Sequence, residues 1–119
     1  MSNLKESLSE LMSIDGAVAV SVVDYESGMM LGKGGSGVDL ELAAAGNSEV
    51  VKAKLKTMRN LGIKGEIEDI LITLDNQYHI IRPTASQKGL FIYIILDKEK
   101  ANLALARRKV LNVEAEIVV

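Results

Sequence analysis

The chain has 119 residues, 48% of them hydrophobic and 25% charged, which predicts one soluble globular domain over residues 1–119 with a core of its own. The net charge of −2 does not favour nucleic-acid binding, and the absence of cysteine excludes disulfides, thiolate metal sites and cysteine nucleophiles. No apolar run has the length of a membrane span and no signal-peptide pattern opens the chain, so we expect a cytoplasmic protein without membrane insertion.

The first half of the chain predicts a helix, two strands and a long helix. Apolar residues at helical spacing predict the first helix over residues 3–13. The β-branched run 17–23 predicts a strand buried on both faces, and 29–33 predicts a short second strand. Asp39 can cap a second helix that continues to Leu61, and the small residues at 43–46 would let this helix approach another backbone closely.

The second half predicts three strands and a helix. The strands are expected at residues 66–74, 77–83 and 89–96, with a tight hairpin at Asp75-Asn76. A final helix is expected over residues 98–112, opened by Asp97, with Leu103, Ala106, Val110 and Leu111 toward the sheet. The order α-β-β-α-β-β-β-α predicts an α/β (α+β) fold with three α/β/α layers around a five-stranded, mainly antiparallel sheet, similar to the profilin and longin folds.

Two motifs invite a catalytic or cofactor interpretation that their context does not support. Gly32, Gly34 and Gly37 spell G-x-G-x-x-G, but the motif follows a second strand and lacks an acid at the end of the next one, so we interpret it as a strand-to-helix loop. His79 is the only histidine and has no nucleophile or further metal ligands in a recognisable context, so we expect a structural role. The sequence predicts no enzyme, no cofactor and no metal.

Two charged clusters remain. Glu66, Glu68 and Asp69 begin the third predicted strand, where they could bind a metal or do acid–base work but are better explained as protection of an exposed sheet edge. Lys52, Lys56 and Arg59 form a ridge on the second helix that could meet an acidic partner, although a solvated helix face explains it as well.

The whole pattern resembles the roadblock/LC7 (dynein light chain roadblock-type) domain family. The resemblance is carried by residues 11–28, by the long alanine-rich helix, by the strands at 70–74 and 78–83, and by the last strand running into residues 101–107. Members of this family are generally dimers without catalytic residues, in which the third strand and second helix pair with those of a partner. Prokaryotic members regulate or scaffold Ras-like small GTPases.

The resemblance therefore implies a non-catalytic homodimeric platform that regulates or scaffolds a small GTPase or an associated signalling complex. The interface residues expected from it are Val50, Val51, Leu55, Ile70 and Ile72, some of which must instead face the monomer core. The alternative is a profilin-like sensory domain that binds a small molecule, which would need an enclosed apolar cavity with convergent polar groups.

Overall fold

A computed structural model of the protein describes residues 2–119. The helices are α1 (Leu4–Met12), α2 (Leu40–Leu61) and α3 (Leu103–Glu116). The strands are β1 (Ser2–Asn3), β2 (Ala17–Asp24), β3 (Met29–Gly35), β4 (Ile70–Thr73), β5 (Gln77–Pro83), β6 (Leu90–Asp97) and β7 (Ile117–Val118). None of the helices in residues 2–119 is long and apolar enough to cross a membrane.

Five strands form one antiparallel sheet in the order β3-β2-β6-β5-β4. This confirms the predicted five-stranded sheet and leaves β3 and β4 as its two edges. A second, two-stranded sheet joins β1 to β7 in parallel, which ties the start of α1 to the end of α3. The sequence could not place this C-terminal segment, because two-residue strands carry no periodicity.

The three predicted layers are also present. On one face of the sheet, α1 and α3 cover a core that includes Leu11, Val22 and Ile94. On the other face, α2 covers a core that includes Ala44, Val51 and Phe91. The central strand β6 is buried along both faces, from Phe91 to Leu96, as expected for an apolar strand between two helical layers.

Two predicted starting residues, of the third strand and of the last helix, were wrong, and each has a local cause. The strand expected at 66–74 is only Ile70–Thr73, because the chain before it is irregular and the Arg82 side chain, through Nη1, engages the Glu68 carbonyl oxygen at 2.9 Å. The last helix begins at Leu103 and not near residue 98. Asn102 accepts from the Leu105 amide at 3.1 Å, whereas the carboxylate of Asp97 caps a preceding turn through the Glu99 amide at 2.9 Å.

The expected sheet-facing residues of this helix need one correction. Ala106 and Val110 are buried against the sheet, but Leu111 is 45% exposed. At about 100° per residue, Leu111 lies well round the helix from the stripe that contains Ala106 and Val110. The helix also extends to Glu116, beyond the predicted end.

The glycine motif is not a loop throughout. Gly32 and Gly34 lie within β3, paired with Val22 and Val20. A Cβ at Gly32 would lie 2.9 Å from a methyl carbon of Leu8, and one at Gly34 would lie 2.9 Å from Cγ of Met12. The glycines are therefore explained by the close approach of α1, which sequence spacing did not indicate.

Candidate protein-interaction surface

The β4 edge of the sheet exposes backbone hydrogen-bonding groups. The hairpin closes at Asp75-Asn76, where the Leu74 amide donates to the Gln77 carbonyl at 2.8 Å. In an antiparallel ladder, hydrogen-bonded and non-hydrogen-bonded pairs alternate. The pair formed by Ile72 and His79 is thus hydrogen-bonded, and the backbone groups of Leu71 and Thr73 point away from β5. Within residues 2–119 no strand pairs with this outer side.

The acidic residues before β4 anchor the start of the edge strand. Asp69 forms a bidentate ion pair with Arg107 of α3, with Nη2 to Oδ1 at 2.8 Å and Nε to Oδ2 at 2.9 Å. The hydrogen bond to Asp69 and the charge of this carboxylate raise the pKa of Arg107. Glu66 and Glu68 are exposed on the irregular segment that precedes the strand. Of the three acids predicted to protect the edge, Asp69 therefore joins the start of β4 to α3, and the other two are exposed on the segment before the strand.

Helix α2 presents two chemically different flanks. At about 100° per residue, Ala43, Asn47 and Val50 share one flank. Asn47 hydrogen-bonds to Tyr93 of β6, which turns this flank toward the β4 side of the sheet. The opposite flank carries Ala45, whose Cα lies 3.9 Å from a Cβ built at Gly28, so that flank faces the turn between β2 and β3.

The five predicted interface residues are divided between surface and core. Val50 is 39% exposed on the flank that faces β4. Val51 is fully buried in the core between α2 and the sheet, so it cannot contact a partner. Leu55 and Ile70 are partly buried and pack against the same core. Ile72 is partly buried and belongs to neither core cluster, which leaves an apolar side chain at the sheet edge.

The predicted basic ridge lies on the other flank of α2. Lys52, Lys56 and Arg59 fall within about 60° of one another around the helix axis. Lys52 is bound to Glu49 at 3.2 Å, and Lys56 and Arg59 are exposed. A partner on this ridge would therefore approach from a different side than a partner on Val50 and Ile72.

A polar network lies between these apolar groups, on the α2 side of the sheet. The His79 Nε2–H donates to Gln77 Oε1 at 2.9 Å, and the Tyr93 hydroxyl donates to His79 Nδ1 at 3.0 Å. Burial lowers the pKa of His79 and raises the pKa of Tyr93, although the hydrogen bond from Asn47 opposes the second effect. Both ring nitrogens of His79 are thus engaged by neighbouring side chains, in agreement with a structural role.

The described residues offer no arrangement for a metal. Among residues 2–119, no group of three or more His, Asp or Glu side chains is close enough to hold an ion. The geometry of this region, an open strand edge beside an apolar helix flank, instead suits contact with another polypeptide.

Known proteins match this chain by structure but not by sequence. No protein-family model matches the sequence, and no curated protein matches it. A Roadblock/LC7 domain from Streptomyces avermitilis superposes with a TM-score of 0.82, covering 97% of this chain and 94% of that one at 14% identity. The fold is that of the Roadblock/LC7 domain. MglB from Myxococcus xanthus agrees, with a TM-score of 0.81 over 95% of this chain and 92% of that one at 17% identity.

A third structure, the gliding protein MglB from Thermus thermophilus, gives a TM-score of 0.72 over 94% of this chain and 88% of that one at 14% identity. One MglB structure is described as having a tetrameric arrangement. At these identities the likeness establishes the Roadblock/LC7 fold alone. It confirms the resemblance drawn from the sequence at the level of architecture.

Sequence reasoning did not identify two further contributors to this surface. Asn47 is the polar residue in an otherwise small and apolar helix flank, and this interruption of the apolar pattern was the one feature of the sequence that could have indicated it. The outward backbone groups of Leu71 and Thr73 carry no side-chain signal, because their direction depends on the hairpin register.

Proposed function

We propose that this chain acts as a single-domain, non-catalytic Roadblock-type platform that forms a homodimer and regulates or scaffolds a Ras-like small GTPase. The observation that carries the proposal is the open β4 edge, together with the small, apolar flank of α2 that faces the β4 side of the sheet. Antiparallel pairing of two β4 strands would satisfy the outward groups of Leu71 and Thr73 and extend the sheet across a twofold axis.

The helix flank adds apolar contact to this pairing. Val50 and Ile72 each present apolar surface on the same side of the sheet, and Gly46 lies one turn before Val50. A glycine on an exposed helix surface permits close approach of another helix. Strand pairing and helix packing together would give a closed, self-complementary interface, and the two exposed acids before β4 would oppose further edge-to-edge growth.

The GTPase part of the proposal rests on the family resemblance and on the structural likeness to MglB. Roadblock proteins in prokaryotes regulate or scaffold Ras-like GTPases, and this chain has the same architecture. The sensor alternative has no support from the structural neighbours, which are Roadblock/LC7 domains.

Thr73→Pro tests the dimer. Proline at this position removes an outward amide but no ladder hydrogen bond to β5, and proline is tolerated on the outer side of an edge strand. Twofold symmetry makes each substitution act twice, so the loss of two hydrogen bonds at about 1 kcal/mol each predicts a dimer dissociation constant raised roughly 30-fold. Sedimentation velocity across a concentration series measures this constant.

Thr73→Val is the matched control, because it keeps the amide and should leave the constant unchanged. Val50→Lys provides an independent second variant on α2. A wild-type protein that is monomeric at micromolar concentration would refute the dimer.

The proposed interaction with a small GTPase is tested by capture on the immobilised protein from host extract loaded with GTP or GDP analogues. We expect capture of a small GTPase that depends on its nucleotide. Absence of any nucleotide-dependent partner in both extracts counts against this part of the proposal and leaves the dimer unaffected.

A further inference from the structure

The sheet has a second open edge, β3, on the side away from β4. β3 is a terminal strand, and within the described residues nothing pairs with its outer side. It runs from Met29 to Gly35, whereas β4 covers only Ile70–Thr73. Proteins usually protect long edges with proline, lysine, inward charges, a β-bulge or a covering segment. Of these devices β3 has one lysine, Lys33, and a register shift in its pairing with β2 between Val22 and Val23, but no proline.

A groove of about 530 Å³ opens along this edge on the α1 face of the sheet. Leu4, Leu8 and Met12 recur every fourth residue along α1 and form its apolar wall. Gly32 and Gly34 line it from the strand, and their lack of side chains brings the α1 wall close to the strand backbone. A strand added at β3 would therefore direct every second side chain into an apolar groove.

The charge along this edge is positive. Lys5 and Lys33 both line it and are both exposed, and no carboxylate within residues 2–119 forms an ion pair with either. Glu6 and Glu10 point to other sides of α1, about 100° or more from Lys5 around the helix axis. The nearest acid along the strand pair, Asp24, lies at the far hairpin end and caps its own turn. A cationic edge repels a basic strand and attracts an acidic one.

We propose that the β3 edge is a docking site for an extended, acidic segment of a partner protein, in which apolar and acidic residues alternate. The apolar side chains fill the groove under Leu4, Leu8 and Met12. The acidic side chains, which project to the other face, meet Lys33, and an acidic residue at the end of the segment meets Lys5. Because β3 and β4 lie at opposite ends of the sheet, this site stays open in the proposed dimer.

The probe is a fluorescein-labelled peptide of alternating glutamate and valine, followed by fluorescence anisotropy with the full chain. We expect saturable binding with a dissociation constant below roughly 1 mM. Lys5→Glu combined with Lys33→Glu should weaken binding at least about tenfold, because two exposed ion pairs become repulsive contacts. Lys100→Glu, an exposed lysine in the turn before α3, is the matched control and should change binding less than about twofold.

Two further peptides separate strand addition from charge attraction. The same peptide with N-methylated central valines cannot complete the ladder and should not bind, and a lysine–valine peptide should not bind either. Binding that survives N-methylation, or that ignores the Lys5 and Lys33 changes, would overturn the proposal. So would binding that Thr73→Pro abolishes, which would locate the peptide at β4. A change in the oligomeric state of the Lys33→Glu protein would show that a second copy occupies the groove and would also overturn it.

Discussion

Gly46 offers the most informative single substitution, since its effects on the monomer and on the dimer should have opposite signs. It lies inside α2, is exposed, and has helical backbone angles on the negative-φ side. A Cβ built at this position meets no atom within 4 Å in the isolated chain. Gly46→Ala should therefore fit the monomer without strain.

The size of the stabilisation follows from helix propensity. Alanine is favoured over glycine in an exposed helix interior by about 0.8–1.0 kcal/mol. With an unfolding entropy near 2.1 cal/mol/K per residue over the 119 residues, this free energy corresponds to a rise in Tm of roughly 4 °C. The measurement is urea and thermal unfolding in the Thr73→Pro background, at protein concentrations below the raised dissociation constant, so that the monomer predominates.

The dimer should respond in the opposite direction. If two α2 helices approach at Gly46, an added methyl group on each overpacks the contact at about 1–3 kcal/mol. The dimer dissociation constant measured by sedimentation should then rise at least about fivefold. Ala45→Gly on the other flank is the control, and it should destabilise the helix by a similar amount without changing dimer affinity.

A fall in monomer stability on Gly46→Ala would refute the exposed placement of this residue. A stabilised monomer with unchanged dimer affinity would refute the role of this flank in self-association. The two refutations are separate, because one is measured in the monomeric background and the other in the wild-type dimer.

Three further predictions concern the fold. Gly35→Ala should lower the free energy of unfolding, measured in urea, by about 1–3 kcal/mol more than Gly37→Ala does. Both glycines have φ near +83°, but only a Cβ at Gly35 overlaps the Val18 carbonyl and lies 2.7 Å from Ala19 Cα. Equal effects of the two substitutions would contradict this. Asn102→Ala should lower stability by about 1 kcal/mol through loss of the α3 cap, measured in the same way, and a neutral result would show that the cap is replaced. Burial lowers the pKa of His79 from its ordinary value of 6.5, so the unfolded chain binds more protons just below pH 6.5, and stability should fall as the pH drops from 6.5 toward the folded pKa. His79→Gln should flatten this dependence, and an unchanged slope would show that another group causes it.

The sequence was sufficient for features that depend on neighbouring residues. Periodicity located α1, α2 and the buried strands, and Asp39 does cap α2 through the Leu42 amide at 3.0 Å. The hairpin at Asp75-Asn76 follows from local turn chemistry, and the element order led to the Roadblock-type fold that the structural comparison confirms. The start of α3 was predicted wrongly, because Asp97 and Asn102 are both good caps and only Asn102 begins the helix.

What the sequence by itself determined is the series of helices and strands and the class of fold, because periods and caps involve residues a few positions apart. The tertiary structure alone decided the strand order β3-β2-β6-β5-β4, and with it which strands have open edges. It also decided that Val50 faces outward while Val51 is fully buried, and that Gly32 and Gly34 make room for α1. These outcomes depend on how strands pair and how closely helices approach across long separations in the chain, which no local pattern of residues encodes.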